Sequence, residues 1–594
     1  MRPPFFLPAF IFLAASPLRA QLPQYDHIVI VVEENHAAAS ILGNFSDAPF
    51  INSLAARGVS LTNMAAITHP SQPNYLELFS ASAQGVFDNE KPSPLPFTTP
   101  NLASALRAAG KTFIGYSQGL PAYGDATTVS TVRDGGVEVY ARKHVPWTNW
   151  QSSAQPQPAN TLPPSVNVPF TLFPRDFNTL PGVAFVIPDQ DHDMHNGGPN
   201  PIATGDRWLK KHLAAYADWA EQHNSLLIVT WDEDDYSANN RIATIFVGAH
   251  LRPGSNAGGW TLHHLLRTLT DLNGIAPLGK TAGISRIKGT FAGEMPVATR
   301  TFRNGAGYRG THDTFLSKKF PDRSFGGKQF GHIFASGAET SQTLVRFDDI
   351  FGGAPGQLPA AATLLSGTLR MVSWFYGFDG SPDPVTVRRM REAFSEDSTW
   401  NSFADGVNAD DVEADSRVEF SAFPQNSPFM IFDVGSTVRD WASGAPNHGW
   451  LLEIGGGDFA YVYLSEPASP REVRPALEIT FEASEIAFAA ARVKVAENAA
   501  SVTLTVHRTG ATNAPAACAF ATIDGTARAG KDYTAVQGTL TWPADDATDR
   551  TIVVPILSDA KTESGETFSV KLRAPAGIAS FGAVRKAVVV IKGN

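Results

Sequence analysis

The sequence predicts an α/β unit with a mostly parallel sheet between helices, followed by two smaller all-β sandwiches. Short continuous apolar runs alternate with helix-period segments as far as about residue 290. Convincing long helices then disappear, and from residue 485 the alternation of apolar and polar residues sharpens. The 594 residues leave room for roughly four folding units at ~150 residues each. A hydrophobic content of 43% supplies several cores and excludes a disordered chain. The 50 glycines and 42 prolines favour turn-rich β structure. A net charge of −10 without a long Lys/Arg run argues against nucleic acid as the main partner. Cys518 stands alone, so an intrachain disulfide and a zinc site built on several thiolates are excluded.

Met1–Ala20 reads as an export signal: Arg2, the apolar run Phe5–Ala15, and a small residue at the cut, Ala20. The run is too short to span a bilayer, and no later segment approaches 18 uninterrupted apolar residues. The expected protein is therefore exported, without a transmembrane segment. Buried strands are expected at His27–Val32, Val183–Ile187, Leu226–Thr230 and Ile242–Val247. Asp47 is expected to cap a helix that has Pro49 in its first turn and closes at Gly58. Thr99 before Pro100 repeats that logic for a helix closing at Gly110, and a longer helix is expected from about Asp206. Residues 296–483 read as an antiparallel sandwich carrying Trp374, Trp400, Trp441 and Trp450, and residues 484–594 as a second one.

Three of these strands run into polar, mostly acidic residues: Glu33-Glu34-Asn35-His36, Asp189-Gln190-Asp191-His192-Asp193-Met194-His195, and Asp232-Glu233-Asp234-Asp235. Ligands of open α/β sheets bind beyond the carboxyl ends of the strands. Carboxylates converging there repel one another unless a cation sits between them, and oxygen ligands suit a hard or borderline divalent ion. One such loop could simply be solvated; three in one sheet favour a metal site. In Thr68-His69-Pro70-Ser71-Gln72-Pro73-Asn74-Tyr75, Ser71 is a candidate nucleophile, which a cation held by Glu34, Asn35 and Asp232 would activate. In isolation Ser71 also fits a turn between prolines. Lys143 and His144 could bind phosphoryl oxygens, or form a solvated basic pair.

Together these segments, with Gly205-Asp206-Arg207-Trp208-Leu209 and His263 in Leu262–Thr268, resemble the phosphoesterase family. That family contains acid phosphatases and, more distantly, phospholipases C, within the alkaline phosphatase-like superfamily. The likeness covers about residues 25–285, in the unit assigned to 21–295. It implies one divalent metal held by Glu34, Asn35, Asp232 and Glu233, with Ser71 as both ligand and nucleophile passing through a phosphoserine. It implies that His144 and His195 contact the phosphoryl group or assist the leaving oxygen, and that Lys143, Asp193 and His263 stand around them. The Pro70-Ser71-Gln72-Pro73 and Asp193-Met194-His195 segments favour the phosphatase branch. The likeness is greatest to secreted acid phosphatases, some described as phosphatidylinositol 3-phosphate phosphatases, which brings phosphoinositides into the expected substrate range. The rival readings are a phospholipase C-type phosphodiesterase and an inactive surface adhesion protein.

The middle unit resembles DNRLRE β-sandwich modules, related to carbohydrate-binding jelly rolls, through Thr311–Phe315, Leu344–Asp348, Ser395–Asn401 and Trp450–Leu452. That likeness implies attachment or spacing, with a cell-surface or carbohydrate contact as its partner. The last unit resembles a Calx-beta module through Val495-Ala496-Glu497, Asp524–Ala527, Asp532-Tyr533 and Glu566-Thr567-Phe568. That likeness implies Ca2+ held by Glu497, Asp524, Asp532, Asp559 and Glu563.

Overall fold

The computed structural model describes residues 22–133, 136–196, 198–305, 307–374, 383–423, 428–467, 469–558 and 565–593. The expected export signal, Met1–Ala20, lies outside the described residues.

The N-terminal unit runs β1 (His27–Glu33), α1 (Ala38–Ile41), α2 (Pro49–Arg57), β2 (Val59–Ala65), α3 (Ser71–Ser80), α4 (Leu102–Ala108) and β3 (Phe113–Ser117). It continues through a hairpin of β4 (Ser130–Arg133) and β5 (Val137–Ala141), then β6 (Asn167–Pro169), β7 (Val183–Ile187) and α5 (Pro201–Gln222). β8 (Ser225–Trp231), β9 (Arg241–Gly248), β10 (Gly254–Asn256), β11 (Trp260–Thr261) and α6 (Leu262–Leu272) complete it. The sheet order is β10-β2-β9-β8-β1-β7-β3-β6, with β11 also pairing β2. β9 lies antiparallel to both neighbours, and the other pairings in this sheet are parallel. This is the α/β architecture expected.

Every residue of β7 and β8, and all of β1 after His27, is buried. Successive side chains point to opposite faces, so both faces are covered. Val29 of β1 pairs with Ala184 and Leu227, which brings the carboxyl ends of β1, β7 and β8 to one rim.

Three helix starts differ from expectation. α2 begins after Ala48, and Asp47 instead accepts from Asn44 and Asn200. The carboxylate of Asp206, on α5, accepts the Phe50 and Ile51 N–H groups at 3.2 and 2.8 Å and so caps α2 from outside. α4 starts at Leu102 because Asn101 and Ser104 form a capping box, a stronger arrangement than Thr99 before Pro100. α5 starts at Pro201, capped by Asn200.

Residues 297–482 form two facing sheets of four and seven strands with antiparallel pairings, plus the short helix Gly435–Ala442. Residues 484–592 form sheets of four and five strands. There Ser484–Phe488 pairs in parallel with Ala579–Phe581, as does Arg492–Ala496 with Lys586–Lys592. The strands on either side of Ala483 are nearly continuous, and one apolar cluster extends from Phe302 through Phe481, Ala483 and Ile486 to Ile591. The middle unit also packs on the α/β unit: Gly259 N–H donates to Thr299 and Thr480 Oγ1, both at 2.8 Å.

Candidate active site

β1 delivers Glu33 and Glu34 to the rim, and the chain then turns through Asn35 at φ 51°. Asparagine tolerates this left-handed conformation better than most side-chain-bearing residues. The turn leaves the Asn35 N–H 3.3 Å from Asp232 Oδ1, just past the end of β8. One terminal atom of the Asn35 amide lies 3.2 Å from Glu34 Oε2, 3.2 Å from Glu233 Oε1 and 3.3 Å from Asp232 Oδ1. Three carboxylates thus surround one small polar tip.

α3 enters the same space end-on. Ser71 is its first residue, and its Oγ donates to Glu34 Oε2 and Glu233 Oε1, both at 3.1 Å. Residues three and four positions further on share that helix face. Asn74 accordingly donates to Glu233 Oε2 at 3.2 Å, and the Tyr75 hydroxyl to Glu34 Oε1 at 2.5 Å. The free N–H groups and dipole of the helix N-terminus favour negative charge at Ser71 Oγ.

Two histidines flank the carboxylates. His144, in a 3-10 turn after β5, places Nε2 3.2 Å from Glu34 Oε1 and Nδ1 3.6 Å from Asp193 Oδ2, while its ring stacks on Tyr75. His69 lies between Glu233 (3.0 Å) and Asp234 (3.3 Å). Burial pushes Glu34 up to about 8, against the pull of Lys143 and Tyr75. Burial, reinforced by Glu34, pushes Asp193 and Asp232 well above the carboxylate range. Burial, then Lys143 and His195, pushes His144 well below the ordinary imidazole value, so it stays neutral. Burial opposes the charge on His69, but Glu233 and Asp234 outweigh it and lift His69 to about 9.

The donor set suits a divalent cation. Asp232 Oδ2 and Asp193 Oδ2 are buried without a hydrogen-bond partner among the described residues, which is costly for groups of this polarity. Glu34, His144 and Asp193 bring one ligand atom each to within 4.8 Å of one another. Glu34 is common to this trio and to the oxygen cluster around Asn35.

The structure therefore gathers Glu34, Asn35, Ser71, Asp232 and Glu233, and sets His144 and Asp193 against them. Lys143 is half-buried beside His144 and acts on Glu34 through its charge. His195 differs from expectation: its side chain is exposed, with Nδ1 2.9 Å from Asn196 Oδ1. Asp193 holds the His195 backbone N–H at 2.8 Å rather than its ring. Met194 between them is buried in a left-handed turn (φ 79°), with its side chain against Gly205. His263 also differs. Its Nε2 lies 2.7 Å from Glu77, which Lys280 contacts at 2.8 Å. Glu77 is six residues along α3 from Ser71, about 9 Å at ~1.5 Å per residue. Asp189 pairs with His192, and Asp191 with Arg133, so neither joins the cluster.

His69, Asn74, Tyr75 and Asp234 were not expected as site residues. Helical spacing from Ser71 is the signal that finds Asn74 and Tyr75. In the last unit, Asp524 accepts from Tyr533 and Ala529, and Asp532 from the Arg528 N–H. Glu497 is buried, and Asp559 and Glu563 lie outside the described residues. Among the described residues, this module brings no three such ligand atoms within 4.8 Å of one another.

Comparison with known proteins follows the same division. The Phosphoesterase family matches residues 45–269 and the Calx-beta domain residues 482–592. Glu34 and Asn35 precede the first of these spans. A phosphatidylinositol-3-phosphatase of Mycobacterium tuberculosis is 48% identical over 269 residues, covering 45% of this chain and 82% of that protein. An acid phosphatase of Aspergillus fumigatus is 29% identical over 199 residues, 33% of this chain and 43% of the fungal protein. A crystal structure of the apo Calx CBD1 domain is 26% identical, covering 19% of this chain and 99% of that one, with a TM-score of 0.19. On the extent of the mycobacterial match, the chain belongs to the phosphoesterase family, and it carries a Calx-beta domain at its C-terminal end.

Proposed function

We propose that the protein is an exported, metal-dependent phosphomonoesterase of the acid phosphatase type that uses Ser71 as nucleophile. Phosphoinositides such as phosphatidylinositol 3-phosphate fall within its proposed substrate range, as the mycobacterial relative suggests. The observation that carries the proposal is Ser71 Oγ, at a helix N-terminus and 3.1 Å from two carboxylate oxygens. Glu34, Asn35, Asp232, Glu233 and Ser71 would hold one divalent cation, with Asp193 and His144 beside Glu34. That cation would supply Lewis-acid stabilisation of the serine alkoxide and of charge on the ester phosphate.

The chain's own groups account for the rest. The hydroxyl proton of Ser71 leaves toward the carboxylates it already faces. Oγ then bonds to phosphorus as the ester P–O bond breaks, giving a phosphoserine and an alkoxide that takes up a proton. Neutral His144 can donate an N–H to a phosphoryl oxygen, and exposed His195 would assist the leaving oxygen. Water then attacks phosphorus, the Oγ–P bond breaks, and serine and inorganic phosphate are restored. In the same proposal the middle sandwich serves surface or carbohydrate contact, and the Calx-beta domain would hold Ca2+ through Glu497, Asp524, Asp532, Asp559 and Glu563.

The test is a substrate panel with the metal-replete full chain: an aryl phosphate, phosphatidylinositol 3-phosphate and phosphatidylcholine. Inorganic phosphate from the first two supports the proposal. Release of phosphocholine instead would make the enzyme a phosphodiesterase, and bound metal without any turnover would leave an adhesion protein.

A further inference from the structure

A cavity of about 720 Å3 opens between the segment after β6 and the outer face of α5. That size is ordinary for a small-molecule site. Phe170, Phe173 and Phe177 line one side, with Lys211 and His212 of α5 opposite and Arg175 exposed beside them. The aromatic wall is fixed: Phe170 packs 5.1 Å from Trp208 and edge-on to His212, and Phe173 edge-on to Tyr116. No carboxylate lines the cavity, and neither Arg175 nor Lys211 has an ion-pair partner among the described residues. Its polarity is thus opposite to that of the Ser71 cluster.

One turn links the two sites. Gln118, at the cavity and directly after β3, lies 3.1 Å from His192 Nδ1 and accepts the Asp189 N–H at 3.4 Å. The same turn continues into Asp193, whose carbonyl accepts the Glu34 N–H at 2.8 Å. β3 stands two strands from β1, about 10 Å at ~4.8 Å per strand.

Building on the phosphomonoesterase reading, we infer that this cavity is a subsite for the ester's leaving group, which carries an apolar body and a second anionic group. The apolar body lies against the three phenylalanines, and the second anion between Arg175 and Lys211, while the phosphate to be cleaved sits at Ser71. A lipid phosphodiester and a free second phosphate share this anionic chemistry, and the substrate arms below separate them.

The experiment compares the full chain, loaded with metal, with the double variant Arg175→Glu/Lys211→Glu. The substrates are phenyl phosphate, a soluble inositol bisphosphate and dioctanoyl phosphatidylinositol 3-phosphate. The expected result is a KM for the lipid raised about tenfold or more at unchanged kcat, with phenyl phosphate altered less than about twofold. A shift for the inositol bisphosphate as large as that for the lipid supports a subsite that takes a free second phosphate as well as the lipid phosphodiester, and a shift for the lipid alone assigns it to the phosphodiester. Unchanged lipid KM, or equal losses on phenyl phosphate and the lipid, overturns the subsite. If the wild-type chain cleaves none of the three, the phosphomonoesterase reading has failed by itself. The cavity is then judged by titration with the fluorescent aromatic anion anilinonaphthalene sulfonate. Binding weakened about tenfold in the double variant sustains an anion-binding cavity, and equal affinity overturns it.

Discussion

Arg241, at the start of β9, holds both carboxylate oxygens of Glu478 at 2.6 and 2.8 Å across the junction between the α/β unit and the middle sandwich. Arg370 adds a third contact at 3.0 Å and also reaches the Asn239 carbonyl. The neighbouring Asn240 bonds Asp234 and the Thr68 carbonyl, so this ion cluster fastens the loop that borders the active-site carboxylates. The middle unit thus helps to hold a loop of the α/β unit in place.

Glu478→Gln keeps the shape of the side chain but leaves two guanidinium groups without their counter-charge. A loss of about 3–5 kcal/mol is expected, measured by chemical denaturation at neutral pH. Burial opposes the charge on Glu478, but Arg241 and Arg370 hold its carboxyl down at about 2, below the ordinary 4.5. Its stabilisation is therefore complete above pH 4.5 and is lost as pH falls toward 2. Denaturation at a series of acid pH values should show the wild-type chain losing its advantage over Glu478→Gln across that window.

Ser71→Ala removes the proposed nucleophile and its hydrogen bonds to the carboxylates of the site. Turnover should fall by about a thousandfold or more with the melting temperature little changed. Rapid-quench mass spectrometry of the wild-type protein should detect phosphate on residue 71. Near-normal rates in the variant would end the serine mechanism.

Asp232→Asn replaces one anionic ligand by a neutral one while keeping the Asn35 N–H within reach of an oxygen. Metal content after dialysis should fall, and affinity should drop by more than the ~10–100-fold that loss of an outer partner costs. A chelator should abolish turnover in the wild-type enzyme, and a divalent salt should restore it. Undiminished metal in the variant would remove Asp232 from the site.

Gly205→Ala tests how the loop that carries Asp193 is held. A Cβ at this position would lie 2.5 Å from Met194 Cγ and 3.0 Å from the His192 carbonyl oxygen. Overpacking of this kind costs about 1–3 kcal/mol. The expected outcome is a lower melting temperature together with weakened metal binding, because the His192 carbonyl that must give way belongs to the same turn as Asp193.

Strands β1, β7, β8 and β9 were legible because each is an apolar, β-branched run with both faces buried. β2 was not, since Thr62 and Asn63 interrupt it, and β6, β10 and β11 are too short to show a period. α3 is hidden behind Pro70, Pro73 and a polar first turn that reads as a loop, although that turn carries the site. The oxygen cluster was visible as acids following strands. The exposure of His195 and the pairing of His263 with Glu77 were not legible, because spacing along the chain does not reveal which way a left-handed turn or a buried ion pair aims a ring. His69 and Asp234 lay within quoted motifs, but only the folded contact makes them partners.

The apolar cluster that passes from Phe302 through Ala483 to Ile591 carries a consequence for folding. Two modules that read as separate in the sequence share one interior, so they are expected to unfold together as a single cooperative block. Cutting the chain near residue 483 would expose that interior instead of freeing a self-sufficient cassette.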